Sequence, residues 1–183
     1  RYVISTHPTR SNISIVDLQQ NRVIKTVATG AAPNYAVGSN DGALIYVSNS
    51  GANSVSVIDV ASWTEVRAFD AGPGPEHMVL SKDGETLFVL NPKAGRISAI
   101  TLSQGQITRT YEFGGTLHGL DISDNGKTLF VSSISEEKLI MVDPKTDIRQ
   151  SLLLSPSPYH LETITGTGKV YVSSKKTPVL WVV

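Results

Sequence analysis

Four short polar and aromatic clusters carry most of the chemistry this sequence offers: Asn34-Tyr35, Glu76-His77, His118-Gly119 and Tyr159-His160. Their first members lie 42, 42 and 41 residues apart, and three of the four histidines of the chain fall within them. Neutral imidazole ligates transition metals and haem iron, and it exchanges a proton near pH 7. The plainer reading of the same residues is packing: an amphipathic ring suits a half-wet position at the edge of a fold. The phase of the histidines favours the plainer reading. His77 and His160 stand second in their clusters and His118 stands first. Strict strand alternation then points His118 to the opposite face and predicts no three-histidine metal site.

Other chemistry is sparse. Asp121 and Glu162 each lie four residues after a landmark, Leu117 and Pro158, and so occupy equivalent faces. Placed in separate repeats, they are too far apart for the paired-carboxylate geometry of a retaining glycosidase, and they read as polar strand residues. Asp17, Asp59 and Asp143 end apolar runs just before polar turns and read as turn residues. The chain has no cysteine, which excludes disulfides, thiolate metal sites and cysteine nucleophiles. No glycine-rich phosphate loop and no serine nucleophile elbow is present. Lys plus Arg and Asp plus Glu number 16 each, so no global field draws the chain to nucleic acid or to an acidic membrane surface. No apolar run approaches the ~20 residues of a membrane span.

The elements that position these clusters follow from a repeat. An aromatic-Val pair recurs at Tyr2-Val3, Tyr46-Val47, Phe88-Val89, Phe130-Val131 and Tyr171-Val172. A turn signal recurs at Asp41-Gly42, Asp83-Gly84 and Asn125-Gly126, and a further landmark at Pro33, Pro75, Leu117 and Pro158. Within one unit, 76–81, 86–91, 96–102 and 106–113 read as four short strands separated by turns, with no sustained helical period. A repeated four-strand unit is what a propeller blade requires and a sandwich does not. The predicted class is therefore all-β, a β-propeller of four-stranded antiparallel blades. The repeats run approximately 1–43, 44–86, 87–128, 129–169 and 170–183, in one domain. Trp63 follows a turn and is expected to be exposed.

Tyr46-Val47-Ser48-Asn49, Val55-Ser56-Val57-Ile58-Asp59, Gly74-Pro75 and Ser81-Lys82-Asp83-Gly84 together resemble one repeat of the YVTN family. The third unit departs from that pattern, with Leu117 for the proline and Thr101 for the aspartate. WD-type propellers fit less well, because no Trp-Asp pair closes a strand. Counting strands gives about four and a half blades, and the repeat period with the need for a closed ring points to a propeller of about seven. The rest of the propeller, or another copy, is then expected to close the ring. Five blades in a self-contained ring is the lesser alternative.

The four clusters follow the landmark and begin the innermost strands, where blades converge on a central channel. Asn34, Tyr35, Glu76, His77, His118, Tyr159 and His160 are therefore the expected ligand-binding rim, for a protein or small-molecule ligand. The function expected is non-enzymatic binding or scaffolding in the periplasm, outside the cell or at its surface, with no cofactor and no nucleic acid. Two alternatives stay open. One is a periplasmic redox or haem-handling propeller using the rim histidines. The other is a lactonase-like hydrolase holding a divalent cation with Asn34, Glu76, Asp121 and Glu162.

Overall fold

The computed structural model describes residues 1–183 as five antiparallel sheets and contains no α-helix. Sheet 1 is β1 (Tyr2–His7), β2 (Asn12–Asp17) and β3 (Arg22–Ala28); sheet 2 is β4 (Pro33–Gly38), β5 (Leu44–Asn49), β6 (Ser54–Asp59) and β7 (Thr64–Asp70). Sheet 3 is β8 (Met78–Leu80), β9 (Thr86–Asn91), β10 (Arg96–Thr101) and β11 (Gln106–Glu112). Sheet 4 is β12 (Leu117–Ile122), β13 (Leu129–Ser133), β14 (Lys138–Val142) and β15 (Arg149–Leu153), and sheet 5 is β16 (Pro158–Ile164), β17 (Lys169–Ser174) and β18 (Leu180–Val182). Strands that are neighbours in sequence are neighbours in each sheet, so every sheet is a meander. These are blades of the kind the repeat predicts, although the complete sheets start at or just after the landmark, at Pro33, Met78 and Leu117, rather than at the aromatic-Val pair.

Burial peaks in the second and third strands of each complete sheet, and the sequence shows why. The second strands β5 and β9 are apolar on both faces and almost wholly buried, because a neighbouring sheet covers each face. The fourth strands β7 and β11 leave most side chains in solvent. The core is a row of clusters between successive sheets. Leu90, Ile97 and Tyr111 of sheet 3 meet Leu117, Leu129 and Val131 of sheet 4 in the largest. Val55, Val57 and Phe69 of sheet 2 meet Leu87 and Val89 of sheet 3 in the next. Each fully buried side chain of this size contributes about 1.5–3 kcal/mol.

The end sheets differ. Sheet 1 begins at the position of a second strand, since β1 pairs only with β2, and sheet 5 ends at a third strand, β18. No ladder joins β1 to β18. Val3, Leu180 and Val182 remain exposed there.

Turns between the first and second strands are near copies. Ser39, Ser81 and Ser123 each donate through Oγ to the side chain two residues on, Asp41 (2.6 Å), Asp83 (2.5 Å) and Asn125 (2.8 Å). The same hydroxyls accept from the backbone N–H of Leu44, Thr86 and Thr128 at 2.9, 2.9 and 3.0 Å. Gly42, Gly84 and Gly126 follow at φ of 72°, 75° and 69°, a region that favours glycine. Asp17, Asp59 and Asp143 also act as turn residues, each accepting backbone N–H groups from the next few residues. Trp63 departs from expectation. It is partly buried, with Tyr2 of sheet 1 edge-on at 5.0 Å between ring centroids.

Candidate functional site

The inner strands β4, β8, β12 and β16 lie side by side in chain order, and the residues after each landmark meet where they begin. A register irregularity marks that place in three sheets. It falls between Pro33 and Ala36, between Leu117 and Leu120, and between Pro158 and Leu161. An extra residue in the inner strand re-aims side chains and frees a backbone N–H from the ladder. A serine of the second strand takes up the freed group. The Tyr35 N–H donates to Ser48 Oγ at 3.0 Å, and the Gly119 N–H donates to Ser132 Oγ at 2.7 Å. Ser132 in turn donates to the Tyr159 carbonyl of the next sheet.

This irregularity corrects the phase argument. His118 does not point away from the other two histidines. Its ring centroid lies 4.8 Å from that of His77 and 4.6 Å from that of His160. His118 Nε2 and His160 Nε2 are 3.5 Å apart, and one ring nitrogen from each of the three histidines lies within 4.8 Å of the others. Alternation fails because the bulge interrupts it between Leu117 and Leu120, and because Gly119 leaves its own side-chain space free. Gly119 is required there: a Cβ would sit 2.7 Å from the Tyr159 carbonyl oxygen and 2.9 Å from Leu161 Cγ.

Tyrosines flank the imidazoles. Tyr159 stacks on His118 at 3.6 Å with planes 5° apart, and Lys175 Nζ lies 4.8 Å from the Tyr159 ring centre. Tyr35 lies 4.9 Å from His77. Five of the seven expected rim residues thus form one cluster drawn from sheets 2 to 5. Asn34 and Glu76 are not among its rings. The Asn34 carbonyl accepts from Thr6 Oγ1 of sheet 1, and the Glu76 N–H donates to the Leu90 carbonyl within its own sheet.

Burial pushes His77 down to about 4, with the neighbouring His160 adding to the effect. Burial likewise pushes His118 down to about 3, helped by His77, His160 and Lys175. Both rings are therefore neutral at pH 7, with lone pairs available. A cavity of about 250 Å³ adjoins His77 and His160, lined also by Tyr35, Glu162, Tyr171 and Leu180. Burial, then Asp121, raises the Glu162 carboxyl above its usual range. Asp121 itself is an inter-sheet strut: its Oδ2 accepts from both the N–H and the Oγ1 of Thr163, at 2.6 and 2.7 Å. A larger cleft of about 570 Å³ lies between sheets 1 and 2, against Tyr2, Tyr35 and Trp63. It is open because β4 has no inner strand beside it in sheet 1, and it holds none of the histidines.

Residues 8–127, most of the chain, match the sequence model of the YNCE-like beta-propeller family. No curated protein matches the sequence. Among solved structures, Kuenenia stuttgartiensis hydrazine synthase superposes on 97% of this chain with a TM-score of 0.80 and 21% identity. At that identity the likeness shows the fold alone. The chain spans about half, 54%, of the length of the chain it matches. Among the helices of the molecule, none is long and apolar enough to cross a membrane.

Proposed function

This chain belongs to the YNCE-like β-propeller family, and from that premise we propose that it is a non-enzymatic binding propeller whose ligand sits on the inner-strand rim. The observation that carries the reading is the five-ring cluster of Tyr35, His77, His118, Tyr159 and His160 beside a 250 Å³ cavity. A partly apolar wall with a few convergent polar groups is what a small-molecule site needs. The repeat is of YVTN type on this reading, because the Ser48 and Ser132 hydroxyls at the third place of that motif support the bulges that shape the rim. The protein acts in the periplasm or at the cell surface, an assignment supported by the YVTN resemblance and compatible with a cysteine-free chain. Further blades, from a longer chain or a second copy, cover the bare apolar residues of the end sheets.

A haem-handling role draws on the same imidazoles, and the absorbance spectrum of the purified protein separates it by a Soret band. The lactonase-like reading has less support, because Asp121 is already engaged by Thr163 and no ligand group gathers around Glu76 and Glu162. The test of the rim is a titration with benzoate and phenol fragments, followed through tyrosine and histidine ring resonances. Shifts concentrated at Tyr35, His77 and His160 are expected. Shifts confined to Tyr2 and Trp63 would move the site to the cleft between sheets 1 and 2.

A further inference from the structure

We propose that His77, His118 and His160 bind a divalent first-row transition metal ion, zinc being the reference case, with an open coordination position facing the 250 Å³ cavity. The inference rests on the rim being the binding site and names the ligand chemistry of that rim. Three observations carry it. The first is convergence: the three ring nitrogens come from three consecutive sheets and lie within 4.8 Å of one another. A tetrahedral ion with bonds of about 2.0–2.1 Å spaces its nitrogens by about 3.3 Å. The His118–His160 separation of 3.5 Å is already close to that value. The longest separation has to close by about 1.5 Å from 4.8 Å, within the reach of a χ1 or χ2 adjustment on an exposed ring such as His160.

The second observation is the construction beneath the rings. His118 is placed by the bulge, by the Ser132 hydroxyl that links sheets 4 and 5, and by the glycine that follows it. Its ring is held face to face with Tyr159. The third is the donor set. All three donors are imidazole, and the chain has no thiol. Such a set suits zinc, copper(II), nickel(II) or cobalt(II) and disfavours calcium and magnesium, which want oxygen. With three protein ligands and a cavity alongside, the geometry is that of an open site rather than a closed structural one.

The test uses the intact protein, stripped with EDTA and dialysed, and titrated with zinc(II) against a chromophoric chelator at pH 7. One zinc per chain is expected, together with d–d absorption of tetrahedral type when cobalt(II) replaces zinc. His77→Gln, His118→Gln and His160→Gln should each weaken zinc binding by about 100-fold or more, beyond the ~10–100-fold of a lost outer-shell partner. His7→Gln is the control and should change nothing, since His7 lies in sheet 1 and bonds Ser14. If a substitution at the half-buried His118 prevents folding, the exposed His160 supplies the decisive variant. No zinc binding, or binding that survives His160→Gln unchanged, would overturn the proposal. Fragment-induced shifts at Tyr35 and His77 in a protein that binds no zinc would remove the metal and leave the rim. Their absence as well would remove both.

Discussion

The turns that join first to second strands and the rim where first strands begin are both built from short polar residues, yet they obey opposite rules. In the turns, one bonding scheme is copied in sheets 2, 3 and 4: a serine hydroxyl, an acidic or amide oxygen two residues on, and a glycine at positive φ. At the rim the backbone irregularity recurs, while the side chains differ from sheet to sheet: Asn-Tyr, Glu-His, His-Gly, Tyr-His. A group serving only the backbone of its own blade can be identical in every blade. Groups that face a shared site serve that site rather than the backbone of their own blade, so nothing holds them identical from blade to blade. Departure from the repeat, on a backbone that keeps it, therefore marks where this molecule presents distinct chemistry.

The largest effect that would break this contrast is expected at Gly119. Gly119→Val forces a side chain against the Tyr159 carbonyl and the backbone N of Leu161, where neither sheet can yield cheaply. The cost should be about 3 kcal/mol or more, near 10 °C in Tm for a chain of this size, measurable in a thermal melt. Zinc affinity should fall with it, because β12 and β16 separate. A fully stable Gly119→Val protein would mean that the two sheets do not approach as described.

The blades were legible in the sequence because two periods agree. Alternation within strands and the repeat of about 42 residues both place Val47, Val89 and Val131 on buried second strands, and all three are fully buried. The convergence of five of the seven residues expected at the rim was legible through their offset from Pro33, Pro75, Leu117 and Pro158. Their relative direction was not, because alternation presumes an unbroken ladder and the bulge supplies an extra residue at that place. A signal was nonetheless present. Ser48 and Ser132 directly follow the apolar runs 44–47 and 129–131 and are fully buried, and a buried hydroxyl there needs a partner. The freed N–H groups of Tyr35 and Gly119 are those partners. The cluster in which His118 joins His77 follows from the bulge together with the missing side chain at 119.

Ser132→Ala sharpens the same contrast with a smaller loss. It removes the partner of the Gly119 N–H and of the Tyr159 carbonyl in a buried place, so about 1–3 kcal/mol is expected. Ser81→Ala removes a comparable hydroxyl from an outer turn, where water replaces it, and should cost about 1 kcal/mol or less. Ser39→Ala and Ser123→Ala should match Ser81→Ala within about 0.5 kcal/mol. Denaturant unfolding of the four variants would separate a repeated turn from a unique rim. Equal losses for Ser132→Ala and Ser81→Ala would erase the distinction.

The smallest effect is expected at Asp83, and it tests whether the turn needs a charge or only an oxygen. The Ser81 hydroxyl, then the Glu85 N–H, holds the Asp83 carboxyl below the usual carboxylate range, and Ser39 and the Ala43 N–H do the same for Asp41. A carboxyl whose folded value is lowered adds stability above its unfolded value, about 3.9, and loses it as pH falls through the folded value. At pH 7 the contribution is intact, but Asp83 is exposed and solvent screens it. In sheet 4 the same place is held by Asn125, whose Oδ1 accepts from Ser123 and from the Lys127 N–H just as Asp83 accepts from Ser81 and Glu85. Asp83→Asn should therefore shift Tm at pH 7 by less than about 2 °C. Below about pH 4, where the parent loses the contribution of this carboxylate, the variant should lose less than the parent. Melts at pH 7 and pH 3 measure both differences. A large loss at pH 7 would show that sheet 3 depends on the charge at this turn, and that the turns are less alike than their hydrogen bonds.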